Sequence, residues 1–206
     1  MDKLIISISR NYGSGGRAVG IALSEKLGIP YYDRQLLDIA AEQGNINPEI
    51  AKQADENIKQ GLAGAFSTGK HLFETALGPI SDLSIYDKLH MVQTDLIKNL
   101  AKQGGCVIIG RCADTILEGD PNLVKLFITA DEDIRIKNIM EYQSVNEKEA
   151  KKLMHKMDKQ RGSYYNYFSD NIWGEAKNYD LTINTKIGIE QTVELIYTYL
   201  KMFRGM

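Results

Sequence analysis

Residues 5–20 read IISISRNYGSGGRAVG, and the order of elements in that stretch decides the fold. A short apolar run ends at Arg10, turns through three glycines in four positions, and enters a pattern with Val19, Leu23 and Leu27 on one helical face. Strand, glycine loop and helix in that order make an anion site. Gly13, Gly15 and Gly16 permit backbone angles closed to other residues and let amide groups approach a phosphate. The helix start adds free N–H groups and the positive end of its dipole.

Two nucleotide-binding loops compete for this stretch. A dinucleotide loop needs G-x-G-x-x-G and an acid about 20 residues later. Asp33 lies at that distance from Gly13, but Ala18 stands where the third glycine belongs, and the long helical stretch after Asp33 breaks the alternation. The mononucleotide loop G-x-x-x-x-G-K-[ST], aligned on Gly15, puts Arg10 at the first glycine, Gly16 at the lysine and Arg17 at the hydroxyl residue. The loop has the right shape without its two chemical side chains. Arg17 could substitute for the lysine only if its longer side chain folds back over the loop, and Ser14, a loop residue with a hydroxyl, is the candidate stand-in for the Ser/Thr.

Working outward, short apolar segments predict buried parallel strands at Leu4–Ser9, Ile29–Tyr32, Cys106–Ile109, Leu123–Ile128 and Leu181–Asn184. Helices are expected over Gly16–Leu27, closed by Gly28, and over 34–43. A capped start is expected in TADEDIR (129–135), with acids in its first turn, and Asn146 with Glu149 gives a capping signature before a long polar helix. A last amphipathic helix covers 188–203. Residues 47–103 contain no convincing strand, only helical stretches broken by Gly61, Gly64, Gly69 and a GPIS turn. The pattern is α/β, a three-layer α/β/α unit on a parallel five-stranded sheet. One domain over 1–206 is expected, with a helical insertion at about 40–100, acting as a substrate lid or as scaffold, and a lid region at about 140–178.

The 206 residues are 43% hydrophobic and 25% charged, with a formal net charge of −2. That balance argues against nucleic acid as a partner, and no apolar run reaches the roughly 20 residues needed to span a membrane. The start Met-Asp-Lys runs directly into a strand pattern, which argues against a cleaved signal peptide and for a cytoplasmic protein. Cys106 and Cys112 are too few for a disulfide framework and are expected reduced. His71, His90 and His155 show no metal-ligand spacing.

Arginine is scarcer than lysine, seven residues against 18, so each position is informative. Arg10, Arg34 and Arg111 each follow a strand, in IISISR, PYYDR and CVIIGR. Ligands of an open parallel sheet bind beyond the carboxyl ends of the strands, so these guanidiniums converge on one crevice. Arg17 joins them at the helix start, and Arg135 and Arg161 lie on later helices. The rigid guanidinium fork suits phosphate oxygens, and phosphoryl transfer needs positive charge more than covalent help. The plainer reading is that arginines cap strand ends and pair with Asp33, Asp38 or Asp114. The aromatic run GSYYNYFSDNIW (162–173) reads first as packing or a dimer contact, and second as a cap over a base.

ISRNYGSGGRAVGIALSEKLGIPYYDR (8–34) resembles the start of the cytidylate kinase-like family, a branch of the P-loop nucleoside monophosphate kinases. VIIGRCADTIL (107–117) is similar to the G-R-D-x-G-T segment of cytidylate kinases. The stretch from Met157 to Ile196 resembles the branch's lid and its YDL…N strand. The resemblance spans nearly the whole chain and implies a P-loop NTPase fold that moves phosphate from ATP, with Mg2+, to a CMP-like nucleoside monophosphate. It implies that Arg10, Asn11, Tyr12, Gly13, Ser14, Gly15, Gly16, Arg17 and Ala18 hold the donor. Asp33, Arg34, Arg111, Asp114, Asp158, Lys159 and Arg161 would face the acceptor, with Arg17, Asp33, Arg111 and Arg161 carrying catalysis. The aspartate of G-R-D is Cys112 here. Nucleotides are the expected partners, the metal ligands and oligomeric state stay open, and a homodimer is one option. A nucleotide sensor with a degenerate loop, and a kinase with a non-nucleotide acceptor, remain as alternatives.

Overall fold

The computed structural model describes residues 3–33, 36, 38, 39, 42, 47 and 85–203. Five parallel strands form one sheet: β1 (Ile5–Arg10), β2 (Tyr31–Tyr32), β3 (Cys106–Ile109), β4 (Leu123–Thr129) and β5 (Leu181–Asn184). Their order is β2-β3-β1-β4-β5. β1 therefore lies in the middle, with Ile5 opposite Cys106 on one side and Leu123 on the other. A dinucleotide fold would set β2 beside β1. Here β3 intervenes, which removes that reading and leaves the mononucleotide one.

Central strands covered on both faces must be apolar at every position rather than at alternate ones. IISIS meets this with serines small enough to bury, and Ser7 and Ser9 are both buried. β2 is shorter than its apolar run. Ile29 N–H is engaged by Ser24 O in the turn that ends the first helix, and Pro30, which has no N–H, contributes only its carbonyl to Val107 N–H at 2.8 Å. Strand pairing thus begins at Tyr31.

Among the described residues, the α-helices with both ends described are α1 (Gly16–Leu27), α2 (Ile85–Gln103), α3 (Ala113–Ile116), α4 (Glu132–Gln143), α5 (Glu147–Phe168) and α6 (Ile189–Phe203). Gly28 ends α1 in the left-handed conformation, its N–H bonded to Glu25 O and Ser24 O. Asn146 and Glu149 form the expected reciprocal capping box on α5. At α4 the acids Glu132 and Asp133 occupy the first turn, but the Asp131 side chain does not cap it. Its carboxylate instead accepts from Asn184 Nδ2 at 2.6 Å, tying the start of α4 to the end of β5.

The chain divides into two compact units, Met1–Asp33 with Ile97–Met206, and Arg34–Leu96. In the first, Leu4, Ile6, Ile8, Val107, Val124, Leu126 and Ile128 of the central strands pack with Val19 and Leu23 of α1 and Val193, Ile196 and Leu200 of α6. In the second, residues 36, 38, 39 and 42 of the helix expected at 34–43 are helical, and α2 closes the segment. Residues 48–84 of the expected insertion, with His71, lie outside the described residues. No described helix is long and apolar enough to cross a membrane.

The aromatic run takes its plainer reading in part. Trp173 meets Phe127 of β4 edge-on at 5.4 Å, Tyr179 packs on the same ring at 5.0 Å, and Tyr165 is buried. Cys106 and Cys112 are buried free thiols, and burial pushes Cys106 up to about 11.

Candidate active site

β1 delivers Arg10 to the carboxyl edge of the sheet, and the chain crosses from there to α1 through Asn11–Gly15. Gly13 (φ 80°) and Gly15 (φ 76°) are both left-handed. A Cβ on Gly13 would also lie 2.6 Å from the Arg135 carbonyl, so the position is closed to any side chain. α1 then starts with no side-chain cap, and its first N–H groups lack intrahelical partners, as helix geometry requires.

Side chains from distant elements hold this loop from outside. Asp158 of α5 takes the Tyr12 N–H on Oδ1 at 2.7 Å and Asn11 Nδ2 on Oδ2 at 3.2 Å. Arg135 of α4 donates Nη2 to Asp158 Oδ2 and Nε to the Tyr12 carbonyl, the latter at 2.8 Å. Asn138 Nδ2 donates to Gly13 O and the Thr185 hydroxyl to Ser14 O, each at 2.8 Å. The Ser14 hydroxyl, fully buried, donates to Asn11 O at 2.9 Å. Ser14 thus spends its hydroxyl inside the loop rather than presenting it to a metal ion.

A basic cluster borders the loop. Arg161 Nη1 donates to Arg10 O at 2.9 Å, and its guanidinium lies over the Tyr12 ring at 5.3 Å from the centroid. Arg10 Nη2 reaches Asp33 Oδ1 at 3.8 Å, Arg17 Nε reaches Asp33 Oδ2 at 3.2 Å, and the Tyr31 hydroxyl donates to the same oxygen at 3.3 Å. Burial lowers Arg10 to about 10; Asp33 opposes the fall and the charge of Arg111 adds to it. Burial, and then the charge of Arg10, lowers Arg161 to about 9. These guanidiniums are partly desolvated and repel one another, so an anion among them recovers energy that the free protein lacks. Arg17 differs: its side chain is 72% exposed, on the solvent side of Asp33.

After β3 the chain makes three consecutive left-handed residues, Gly110 (φ 70°), Arg111 (φ 61°) and Cys112 (φ 54°). Two of them carry side chains, at an expected cost of roughly 1–2 kcal/mol each. Cys112 is buried, its thiol pushed well up by burial, which suits packing and not nucleophilic attack. Asp114, expected among the acceptor contacts, lies beneath the turn and is 2% exposed. Its Oδ2 accepts from the Tyr165 hydroxyl at 2.8 Å, while Oδ1 is buried with no hydrogen-bond partner among the described residues. Burial pushes this carboxyl upward.

The structure thus brings Arg10, Asn11, Tyr12, Asp33, Asp158 and Arg161 to one edge of the sheet, with Arg111 close enough to act on Arg10. Lys159 is exposed next to Asp158, and Ala18 is the third residue of α1. Arg34 lies outside the described residues. Sequence reasoning gave no role to Asn138 or Thr185, although Thr185 stands in the motif-like end of the chain. Among the described residues no three His, Cys, Asp or Glu side chains gather to hold a metal ion. The loop and arginines fit a polyphosphate; a Mg2+ ion bound with it would keep waters and phosphate oxygens as ligands, with Asp33 the carboxylate among the arginines of this edge.

Comparison with other proteins agrees with this architecture. An uncharacterized protein from Eubacterium ventriosum is 30% identical over 96% of this chain and 98% of its own, with a TM-score of 0.71. A sugar kinase from Janibacter sp. (12% identity, 97% and 95% coverage, TM-score 0.55) and a shikimate kinase from Bacteroides thetaiotaomicron (13%, 96% and 98%, 0.51) share the fold. Among curated proteins no sequence match was found. The model of the cytidylate kinase-like family matches residues 5–187, and with its five parallel strands in P-loop kinase arrangement the chain belongs to that family.

Proposed function

We propose that the protein is an ATP-dependent phosphotransferase whose acceptor is a small molecule bearing a phosphate, a CMP-like nucleoside monophosphate first. The observation that carries this reading is the crowding of Arg10, Arg111 and Arg161 beside the glycine loop, where burial and mutual repulsion favour a bound anion. An oxygen of the acceptor phosphate attacks the γ-phosphorus, and the bond from that phosphorus to the β–γ bridging oxygen breaks, leaving ADP. Both oxygens are already anionic or become so, and no proton must be removed. Charge and alignment are then the main demands, and arginines meet them. Mg2+, carried on ATP, would neutralise charge between the outer phosphates.

Asp33 favours a second reading. A carboxylate at the same edge would serve as proton acceptor for a hydroxyl-bearing acceptor, although here it lies between two arginines. The deciding experiment measures ADP release from Mg-ATP with CMP, dCMP, UMP, AMP, GMP, a set of hydroxyl acceptors, and no acceptor. Turnover that depends on a monophosphate and is lost in Arg111→Ala is expected. Turnover only with a hydroxyl compound moves the acceptor class to the second reading. ATP binding without turnover for any acceptor makes the chain a nucleotide sensor.

A further inference from the structure

Position 16 is where the mononucleotide loop carries its lysine, and position 10 is where it carries its first glycine. This chain has glycine at 16 and arginine at 10. The two positions meet in space. A Cβ built on Gly16 would lie 2.7 Å from Arg10 Cβ, 3.0 Å from Arg10 Cγ and 3.3 Å from Ile128 Cβ. Carbon atoms do not approach to 2.7 Å, and the obstructing atoms are the root of a side chain rather than its flexible end. The two positions cannot both carry side chains unless the backbone shifts.

We infer that the loop has exchanged these two residues, so that Arg10 is the donor-phosphate cation in place of the missing lysine and Gly16 is glycine because the Arg10 stem fills its side-chain space. The inference rests on the reading of Asn11–Arg17 as the donor loop. Three further observations support it. The Arg10 guanidinium does not leave the site: a Cβ on Gly110 would collide with Nη1, and Nη2 faces Asp33, so the head spans the ends of β1, β3 and β2. Its carboxylate neighbour is shared with Arg17, and Arg161 closes over the Arg10 carbonyl from the other side. Arg17, the residue that sequence alone offers as the substitute, is mostly solvated and starts from an exposed position on α1.

The exchange makes a reciprocal prediction. Four chains are compared with the wild type: Arg10→Gly, Gly16→Lys, the double variant carrying both, and Arg17→Ala. Affinity for inorganic tripolyphosphate and for Mg-ATP is read by calorimetry, thermal stability without ligand by a melting curve, and turnover last. Arg10→Gly is expected to weaken tripolyphosphate binding about tenfold or more, and by more than Arg17→Ala does. Gly16→Lys alone is expected to lower the melting temperature, because its Cβ meets the Arg10 stem. The double variant is expected to recover both stability and binding relative to the worse single variant. Gly16→Ala, made in the wild type and in Arg10→Gly, isolates the steric part: its cost should shrink in the second background.

Unchanged tripolyphosphate affinity in Arg10→Gly, a larger loss in Arg17→Ala, or additive effects of the two exchanged positions would each overturn the inference while leaving the donor-loop reading in place. A wild-type chain that binds neither tripolyphosphate nor Mg-ATP would remove the donor-loop reading itself, and this inference with it.

Discussion

The loop at 10–16 and the turn at 110–114 leave neighbouring strands at the same edge of the sheet, and they are built in opposite ways. In the loop, left-handed angles fall only on glycines, so the backbone is relaxed, and its carbonyls are held from outside by Arg135, Asn138 and Thr185. In the turn, left-handed angles fall on Arg111 and Cys112 as well as on Gly110, and the carbonyls are engaged locally, as by Ala113 N–H at Gly110 O and the Thr115 hydroxyl at Cys112 O. What holds the turn is what it buries: Cys112, Ala113, Asp114 and, beneath them, Tyr165. A relaxed loop can be aimed by its braces. A strained turn persists only where its surroundings over-determine it, and such residues cluster at sites of function.

The largest expected effect breaks the bracing. Asp158→Ala removes the acceptor of Tyr12 N–H, Asn11 and Arg135 together, and should cost about 2–3 kcal/mol for stranding partly buried donors. Denaturant unfolding reads this directly; a loss below about 0.5 kcal/mol would mean the loop is held by its other bonds. Next comes the support of the turn. Tyr165→Phe removes the hydroxyl that donates to the buried Asp114 carboxyl and should cost about 1–2 kcal/mol at neutral pH, with no comparable loss in the Asp114→Asn, Tyr165→Phe double variant. Arg111→Gly tests the strain itself. Because glycine bears no left-handed penalty, Arg111→Gly should be more stable than Arg111→Ala by about 1 kcal/mol, with acceptor-dependent turnover lost in both. Equal stability of the two variants would show that the turn is not strained.

The smallest effect is a pH profile. The Asp114 carboxyl is raised by burial above its unfolded value. Its contribution to stability is therefore full below the unfolded range near pH 3.9 and is lost as pH rises through the raised value. Asp114→Asn should flatten that part of the stability curve and be no less stable than wild type at neutral pH. An unchanged profile would show that the Asp114 carboxyl binds its proton alike in the folded and unfolded chain.

Much of this was legible in the sequence, for physical reasons that also mark the limits. Strand β3 runs as read because a fully buried parallel strand writes itself as an unbroken apolar run, and α1 matches because its glycine cap is a local signal. Strand β5 has the expected bounds but not the expected burial: at the sheet edge only Ile183 of LTIN is buried and Thr182 is exposed. Arg10 and Arg161 fall at the site because their strand or motif setting fixed where they emerge. Arg17 and Asp114 were read with their neighbours, yet side-chain direction depends on packing far away in the chain. Asp114 is turned under by Tyr165, 51 residues on, and Asp158 reaches Tyr12 across 146 residues. Nothing local encodes either. The strain at Arg111 was equally silent, since only Gly110 advertises an unusual backbone.

The central place of β1 also governs how the molecule is made. Its partners are β3 and β4, so Ile5 waits for Cys106 and Leu123 before any ladder can form. At about 5–20 residues per second of synthesis, an apolar IISIS segment stays uncommitted for roughly 5–20 s. Parallel pairing at such separation is slow and exposed to aggregation even once the chain is complete. The nascent chain should be most vulnerable before β3 emerges, which makes chaperone dependence of its yield a property of strand order rather than of final stability.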